Sequence, residues 1–366
     1  MGTLLSNRFM WLAAALLACA CYVAPADTAL GPAGAVVTPR DTVVSPAKEE
    51  AQAPTSVVAP AKAGAQSPAS TQPITLTLGT STPGGGFPVY GAAFKAVVEE
   101  SDPGIAIETR NTSGSAENVP MLEQGKLDLA LVQGEAAYEA LAGVHRADRS
   151  NIKVLWAMYS SPGMFVVRAD SPYRVIADLK GQPVAWGAKG SGLVLLAGYT
   201  LDPLGLDRDR DFKSFYLDRA GDGPAMVLDG RAAALWGGGL GYPGFATLAN
   251  SPGGVRFIVP SAEEIDRITA THRFLKRITI PAGSYKGITH DLVSVGSWSF
   301  VFARADLPDD VAYRVARALH RNESAFAKQP PHASDSTAVN TLDAPADRAT
   351  IHPGVMRYLR EAGIAR

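Results

Sequence analysis

Twice in this chain a strand pattern runs into a glycine- and serine-rich turn, then a helix, a strand, a short helix ended by glycine, and a strand closing on another turn. The first pass begins with ITLTL (74–78), the turn GTSTPGGGFPVYG (79–91) and the helix pattern PVYGAAFKAVVEE (88–100). It continues through GIAIETRN (104–111), SAENVPMLEQG (115–125), LDLALVQG (127–134) and EAAYEALAG (135–143). The second pass is DLKGQPVAWGAKGSG (178–192), LVLLAGYTLDPLG (193–205), FKSFYL (212–217), DGPAMVLDG (222–230) and RAAALWGGGLG (231–241). Alternation of this kind predicts an α/β protein with largely parallel sheets. Its repetition predicts two similar lobes. IKVLWAMYS (152–160) and GMFVVRA (163–169) read as two strands around Pro162-Gly163. VRFIVP (255–260) is a strand, and SAEEIDRIT (261–269) a helix with Ser261 as N-cap and Glu264 at the capping-box position. VSVGSWSFVFARADLP (293–308) is a long strand pattern, followed by the amphipathic helix DDVAYRVARALHRNESAF (309–326). No short fixed period appears, so a solenoid is not expected.

The N-terminus has the parts of a secretory signal: Arg8 as the charged region, an apolar run from Phe9 to Ala20, and Ala24-Pro25-Ala26 as a cleavage site. The apolar run is shorter than the roughly 20 residues a membrane span takes. Residues 1–26 are therefore expected to be a signal peptide and the protein periplasmic. Both cysteines, Cys19 and Cys21, lie in this segment, so disulfide, zinc-cluster and cysteine-nucleophile chemistry is excluded from the remainder. Either cysteine could carry a lipid anchor, although Leu16-Leu17-Ala18-Cys19 is a poor lipobox. Residues 27–72 are rich in Ala, Pro, Thr, Ser and Val and read as a disordered tether. The formal net charge of −1 supplies no global field for nucleic acid or a membrane surface.

The turn at 79–91 poses the question of function, because a glycine-rich turn between strand and helix brings N–H groups to an anion. It lacks the lysine of a P-loop. As a dinucleotide fingerprint, Gly84 and Gly86 would be the first two glycines, but the third falls at Val89; Glu108 would be the ribose-binding acid. A Rossmann-like NAD(P)-dependent oxidoreductase is thus an alternative reading. Catalytic constellations are poor. There is no nucleophile elbow, the six histidines are scattered, and DRDRD (207–211) reads as a solvated turn with local ion pairs rather than a calcium loop. What remains is a set of Gly/Ser turns at helix N-termini: Ser81 and Thr82, Ser113-Gly114-Ser115, and Gly190-Ser191-Gly192. Each alone is most simply a helix cap. Together, at the C-terminal edge of strands in both lobes, they suit a carboxylate.

Several stretches resemble one family, the TAXI-type (TRAP-associated extracytoplasmic immunogenic) solute-binding proteins of tripartite ATP-independent periplasmic transporters. They are LTLGTSTPGGGFPVYG, SGSAENVPMLEQGKLDLALVQ, VIADLKGQPVAWGAKGSG, DGRAAALWGGGLGYPG, IPAGSYKGITHDLVSVG, RADLPDDVAYRVARAL and IHPGVMRYLREAGI, in the family's order from about residue 74 to the end. The resemblance implies a type II periplasmic-binding-protein fold, two α/β lobes joined by hinge strands around a ligand cleft. It places the crossings near 160–167 and 287–303. Lobe 1 would comprise 73–163, lobe 2 164–287, and 288–366 would return through the hinge to complete lobe 1. It also implies no catalysis, no cofactor and no metal. The function implied is capture of a small carboxylate or amino acid, glutamate- or glutamine-like or an oxo acid, for delivery to TRAP permease membrane subunits. A binding protein serving a signalling partner is a further alternative.

Carried onto this chain, the implied ligand contacts are Ser81, Phe87, Tyr90, Ser115, Asn118 and Gln133 in the first lobe. In the second they are Gly190, Ser191, Gly192 and Trp236, with Tyr285 near the second crossing. Ser115 and Ser191 would bond a carboxylate, Asn118 and Gln133 the ligand's other polar end, and the aromatics would wall the cleft. Core packing is the plainer alternative for each aromatic. Arg110 or Arg168 could pair with a carboxylate, and either suits a surface ion pair as well. The chain departs from the family's first turn at Phe87 and Pro88, and has Ala233-Ala234 where the family often has Asp before Ala. Glu135 stands where the family carries an acid shortly after the glutamine.

Overall fold

The computed structural model describes residues 72–329 and 333–366. The expected signal peptide, both cysteines and all but the last residue of the expected tether lie outside the described residues. Among the described residues no helix is long and apolar enough to cross a membrane.

The first lobe opens with strand β1 (Ile74–Gly79), helix α1 (Gly86–Ser101), β2 (Ile105–Arg110), α2 (Ser115–Glu123), β3 (Leu129–Gln133) and α3 (Gly134–Ala142). Strand β4 (Lys153–Arg168) then leads into β5 (Pro183–Gly187), α4 (Gly192–Leu201), α5 (Arg208–Asp211), β6 (Lys213–Tyr216), α6 (Gly223–Leu228) and β7 (Ala234–Gly238). There follow α7 (Pro243–Ala249), β8 (Val255–Ile258), α8 (Ala262–Thr271), β9 (Lys276–Ile280) and β10 (Leu292–Ala303). The chain ends with α9 (Asp309–Arg321), α10 (Glu323–Phe326), α11 (Ala338–Asp343) and α12 (Pro353–Glu361).

The strands join in the order β2-β1-β3-β10-β4-β7-β5-β6, with β8 added to β4 and β9 to β10. Within each lobe the pairs β1–β2, β1–β3, β5–β6 and β5–β7 are parallel. The central pair, β4 with β10, is antiparallel and belongs to both lobes. Strand β4 pairs with β10 up to Pro162 and with β7 from Gly163. Strand β10 pairs with β9 over Leu292–Gly296 and with β3 over Ser299–Ala303. This is the two-lobed type II periplasmic-binding-protein architecture, with two strands crossing between α/β lobes.

One expectation is corrected here. IKVLWAMYS and GMFVVRA are not two strands but one, because Pro162 falls where β4 exchanges partners. A proline has no N–H to give the ladder; at the changeover that donor is not needed, and its carbonyl accepts from Gly239. The crossing is tight: a Cβ on Gly296 would collide with the Ser161 carbonyl. Strand β9, KRITI, was not foreseen. DRDRD forms the single turn α5, with Asp207 accepting from Asp209 and Arg210 N–H and ion pairs to Asp211, as a solvated charge cluster should.

The closing HPG motif is structural. Buried His352 accepts the Gly354 N–H at Nδ1 (3.2 Å), so the neutral ring donates from Nε2 to the Leu307 carbonyl (3.0 Å). A Cβ at Gly354 would collide with the Asp309 carbonyl, so glycine lets α12 lie against α9. Helix α9 is tied to the first lobe by Arg314, whose Nε and Nη2 donate to Asp102 at 2.9 and 2.7 Å.

A buried carboxyl sits beside the crossing. Glu135 is 0% exposed; Ser297 Oγ of β10 donates to its Oε1 at 2.7 Å, and Oε2 has no partner. Burial pushes its pKa up to about 7, with the Ser297 bond opposing. The folded state therefore holds a proton there that the unfolded chain has released, and stability falls as pH rises between about 4.5 and 7. Glu135→Gln should match the native protein near pH 4.5 and exceed it above pH 7, by a few kcal/mol at most, in denaturant titrations at several pH values.

Asp102 shows the opposite sign. The Arg314 bonds hold its carboxyl below the usual range, so its contribution is present above the ordinary carboxylate value and lost as pH falls through the depressed one. Asp102→Asn should cost about 1.5–3 kcal/mol at neutral pH. That difference should close in strong acid, read by the same titrations.

Candidate functional site

The C-terminal ends of β1, β3, β5 and β7 face one another across the crossing strands. Between them lies a cavity of about 70 Å³ for the centres of water-sized spheres, room for a small organic solute. Both lobes contribute to its wall. From the first come the turn after β1, with Ser81 and Thr82, Phe87 on α1, and Ser115 and Gln133. From the second come Ala188, Ser191, Gly192 and Leu193 after β5, Ala220 before α6, and Gly239 and Tyr242 after β7. The crossing strand β4 provides Tyr159 and Ser161.

Helices α1, α2 and α4 begin at this wall, as do α3 behind Gln133 and α7 behind Tyr242. Helix α1 is preceded by Gly85 and α2 by Gly114, neither of which has a capping side chain, and in the first turn of α2 the Ala116 N–H is taken by the Gly190 carbonyl. At α4, Ser191 Oγ accepts from Val194 N–H at 3.3 Å. The positive ends of several helix dipoles thus meet at one place, that of α2 offset by the Glu117 carboxylate in its first turn. Ser115 Oγ accepts the Gln133 N–H at 3.0 Å, which leaves its O–H to donate. Burial pushes the Tyr242 phenol up to about 12 and raises that of Tyr159 as well, so both stay protonated.

The lobes touch on either side of the cavity. Ala116 N–H donates to Gly190 O at 3.0 Å on one flank. On the other, Gly221 N–H reaches Pro83 O at 3.4 Å and Ala220 N–H reaches Thr82 Oγ1 at 3.3 Å. Glycine makes this approach possible. A Cβ on Gly84 would lie 2.5 Å from Gly221 N, and one on Gly192 would collide with Gln133 Cβ. Further along the interface Tyr138 stacks on Phe274 at 4.1 Å, and the Tyr199 hydroxyl donates to Glu139 at 2.9 Å.

Of the residues expected at the ligand, Ser81, Phe87, Ser115, Gln133, Ser191 and Gly192 line the cavity. The others do not; most stand one layer behind a lining residue. Tyr90 is in the core, bonded to Ser336 Oγ at 2.7 Å and packed edge-on against Tyr159. Asn118 donates to the carbonyls of Thr80 and Leu131, both at 2.8 Å, and holds the turn after β1. Trp236 is 0% exposed, packs on Phe165, and donates to the carbonyl of lining Leu193 at 2.8 Å. Tyr285 accepts from Tyr242 N–H at 2.6 Å and donates to Gly239 O at 2.9 Å, pinning the turn after β7. Gly190 spends its carbonyl on the interlobe bond to Ala116. Arg168 is forked onto Asp170 at the surface, and Arg110 is exposed; neither lines the cavity.

Tyr159, Ser161, Leu193, Ala220 and Tyr242 were not singled out from sequence. Tyr159 and Ser161 had a signal: two residues apart on a strand they share a face, and they adjoin Pro162-Gly163. Tyr242 follows the GGGLG turn, the counterpart in β7 of the turns after β1 and β5.

Several of the solved structures that this chain resembles are named as binding proteins. The periplasmic aliphatic sulphonate binding protein SsuA from Escherichia coli is 19% identical over 79% of this chain and 84% of its own, with a TM-score of 0.43. A TctC solute binding protein from Polaromonas is 18% identical over 75% of this chain and 88% of its own, at 0.44. The substrate binding protein of an amino acid ABC transporter is 14% identical over 71% and 97%, also at 0.44. The NMT1-like family matches residues 78–363, well over half of the sequence. The chain belongs to the NMT1-like family.

Proposed function

We propose that this protein is an extracytoplasmic receptor that closes over a small carboxylate-bearing solute and hands it to a TRAP-type permease. The observation that carries the reading is the cavity itself: both lobes build its wall, several helix N-termini open onto it, and main-chain contacts join the lobes on both flanks. A ligand held by two lobes stabilises their closed arrangement and needs no reacting group. The permease partner and the periplasmic location rest on the sequence resemblance and on the signal-like N-terminus.

The oxidoreductase alternative fits less well. The turn after β1, which would take a pyrophosphate, has Gly84 packed on the Gly221 backbone of the other lobe.

Two measurements test the proposal. A screen of small organic acids by thermal shift should find at least one that stabilises the protein, by about 2.7 kcal/mol at 100 times its Kd. If no acid shifts the melting, the carboxylate-receptor reading falls. Gly192→Ala should then separate closure from folding. Residue 192 opens α4 without a left-handed backbone, so alanine suits its own lobe, but its Cβ meets Gln133 of the other. The variant should keep its unfolding free energy within about 1 kcal/mol. It should lose at least tenfold in affinity and show no ligand-induced compaction in small-angle scattering. Native-like affinity and compaction would refute the closure geometry.

A further inference from the structure

The lobes meet a second time, away from the cavity. Helix α3 leads off from Gln133 at the cavity wall, and α4 from Ser191 and Gly192. The two helices then pack on each other across the lobe boundary. Tyr138 and Glu139 come from α3 of the first lobe, Tyr199 from α4 of the second, and His272 and Phe274 from the segment after α8. None of these five residues lines the cavity.

They form one connected cluster. The rings of Tyr138 and Phe274 stack with centroids 4.1 Å apart and planes at 10°. Tyr199 meets Phe274 edge-on at 5.0 Å and His272 edge-on at 4.9 Å. Its hydroxyl donates across the boundary to the Glu139 carboxyl at 2.9 Å. Leu195, one turn earlier on α4, extends the contact by packing against the core of the first lobe.

This is the better formed part of the interlobe contact. At the cavity flanks the lobes are joined by bonds of 3.0, 3.3 and 3.4 Å, the last two beyond the usual range for N–H to oxygen. The cluster adds a short hydroxyl–carboxyl bond and a face-to-face ring pair, and rings that stack also leave water together. Its place suits a latch. Glu135, in the first turn of α3, rests on Ser297 of the crossing strand β10. Glu139 stands a turn further along the helix, roughly 6 Å from that pivot. Glu139, Tyr199 and His272 border an outer groove. A rotation that carries Tyr199 about 1 Å away from Glu139 takes their bond out of range.

We propose that this cluster is a latch independent of ligand: it holds the lobes closed over the cavity when no solute is bound, and so scales the affinity for every solute without touching any. A solute that binds only the closed arrangement has its apparent affinity lowered by the fraction of molecules that are closed. The latch sets that fraction. It multiplies all affinities by one factor and leaves their ranking to the cavity wall. The inference concerns the closure of the lobes and stands whichever solute the cavity takes.

Hydrogen–deuterium exchange of the ligand-free full chain, read by mass spectrometry, tests it without a ligand. Opening frees the amides of Ala116 and Gly221, each bonded to a carbonyl of the other lobe. Leu131 in β3 and Leu235 in β7 lie within the sheets of the two lobes and report unfolding instead. Phe274→Ala removes the ring that touches both Tyr138 and Tyr199. It should speed exchange at Ala116 and Gly221 about tenfold, and by more than at Leu131 and Leu235. Tyr199→Phe keeps the ring and removes only the bond to Glu139. It should speed exchange at Ala116 and Gly221 about threefold and leave Leu131 and Leu235 within about twofold. Unchanged or slower exchange at Ala116 and Gly221 in either variant would overturn the latch. So would equal acceleration at all four amides, since the cluster would then act on folding and not on closure.

Discussion

The antiparallel pairing of β4 with β10 is the constraint on which the rest depends. Both strands are long enough to lie in two sheets, and each changes partners part-way along. Their close contact at Gly296 and Ser161 leaves the crossing no room for side chains on that line. The parallel strands of both lobes are ordered outward from this pair, so their C-terminal ends confront one another. A cleft follows from that topology before any particular ligand-binding side chain is considered.

The site is built in two layers. The front layer touches the cavity and consists largely of small hydroxyls, glycines and apolar groups. The rear layer fixes it: Asn118 holds the turn after β1, Trp236 holds Leu193, Tyr285 holds the turn after β7, and Tyr90 backs Tyr159. The rear residues make specific bonds that fix the position of the front ones. The front residues at the lobe contacts are small because the lobes approach to main-chain contact, whereas Phe87, Tyr159 and Tyr242 wall the cavity itself. Removing a rear residue would therefore act on the ligand only through the displacement of its front partner.

Much of this architecture was legible. The strand–turn–helix alternation and its repetition led to two α/β lobes, and Gly/Ser turns at strand ends marked the cleft edge. The strand through Pro162-Gly163 was misread because proline and glycine usually interrupt a ladder; here they fall where the ladder changes partners. Strand β9 was missed because KRITI is short and carries two adjacent cations. At the site, Ser115, Gln133 and Ser191 carried local signals. Tyr90 and Trp236 could not be separated from Tyr159 and Tyr242 by local pattern, since an aromatic at a strand or helix end looks the same whether it faces the cleft or props what does. Only the tertiary contacts make that distinction. The HPG motif, among the most specific in the resemblance, belongs to the docking of α12 and not to the cleft.

The interlobe clasp flanking the cavity has a main-chain bond on each side, Ala116 to Gly190 on one flank and Gly221 to Pro83 on the other. Hydrogen bonds between peptide groups carry no record of which side chains stand nearby. These bonds use the main chain of the loops whose side chains line the cavity. Replacement at Phe87 or Leu193 would reshape the cavity wall while leaving intact the glycines that let the lobes meet in main chain.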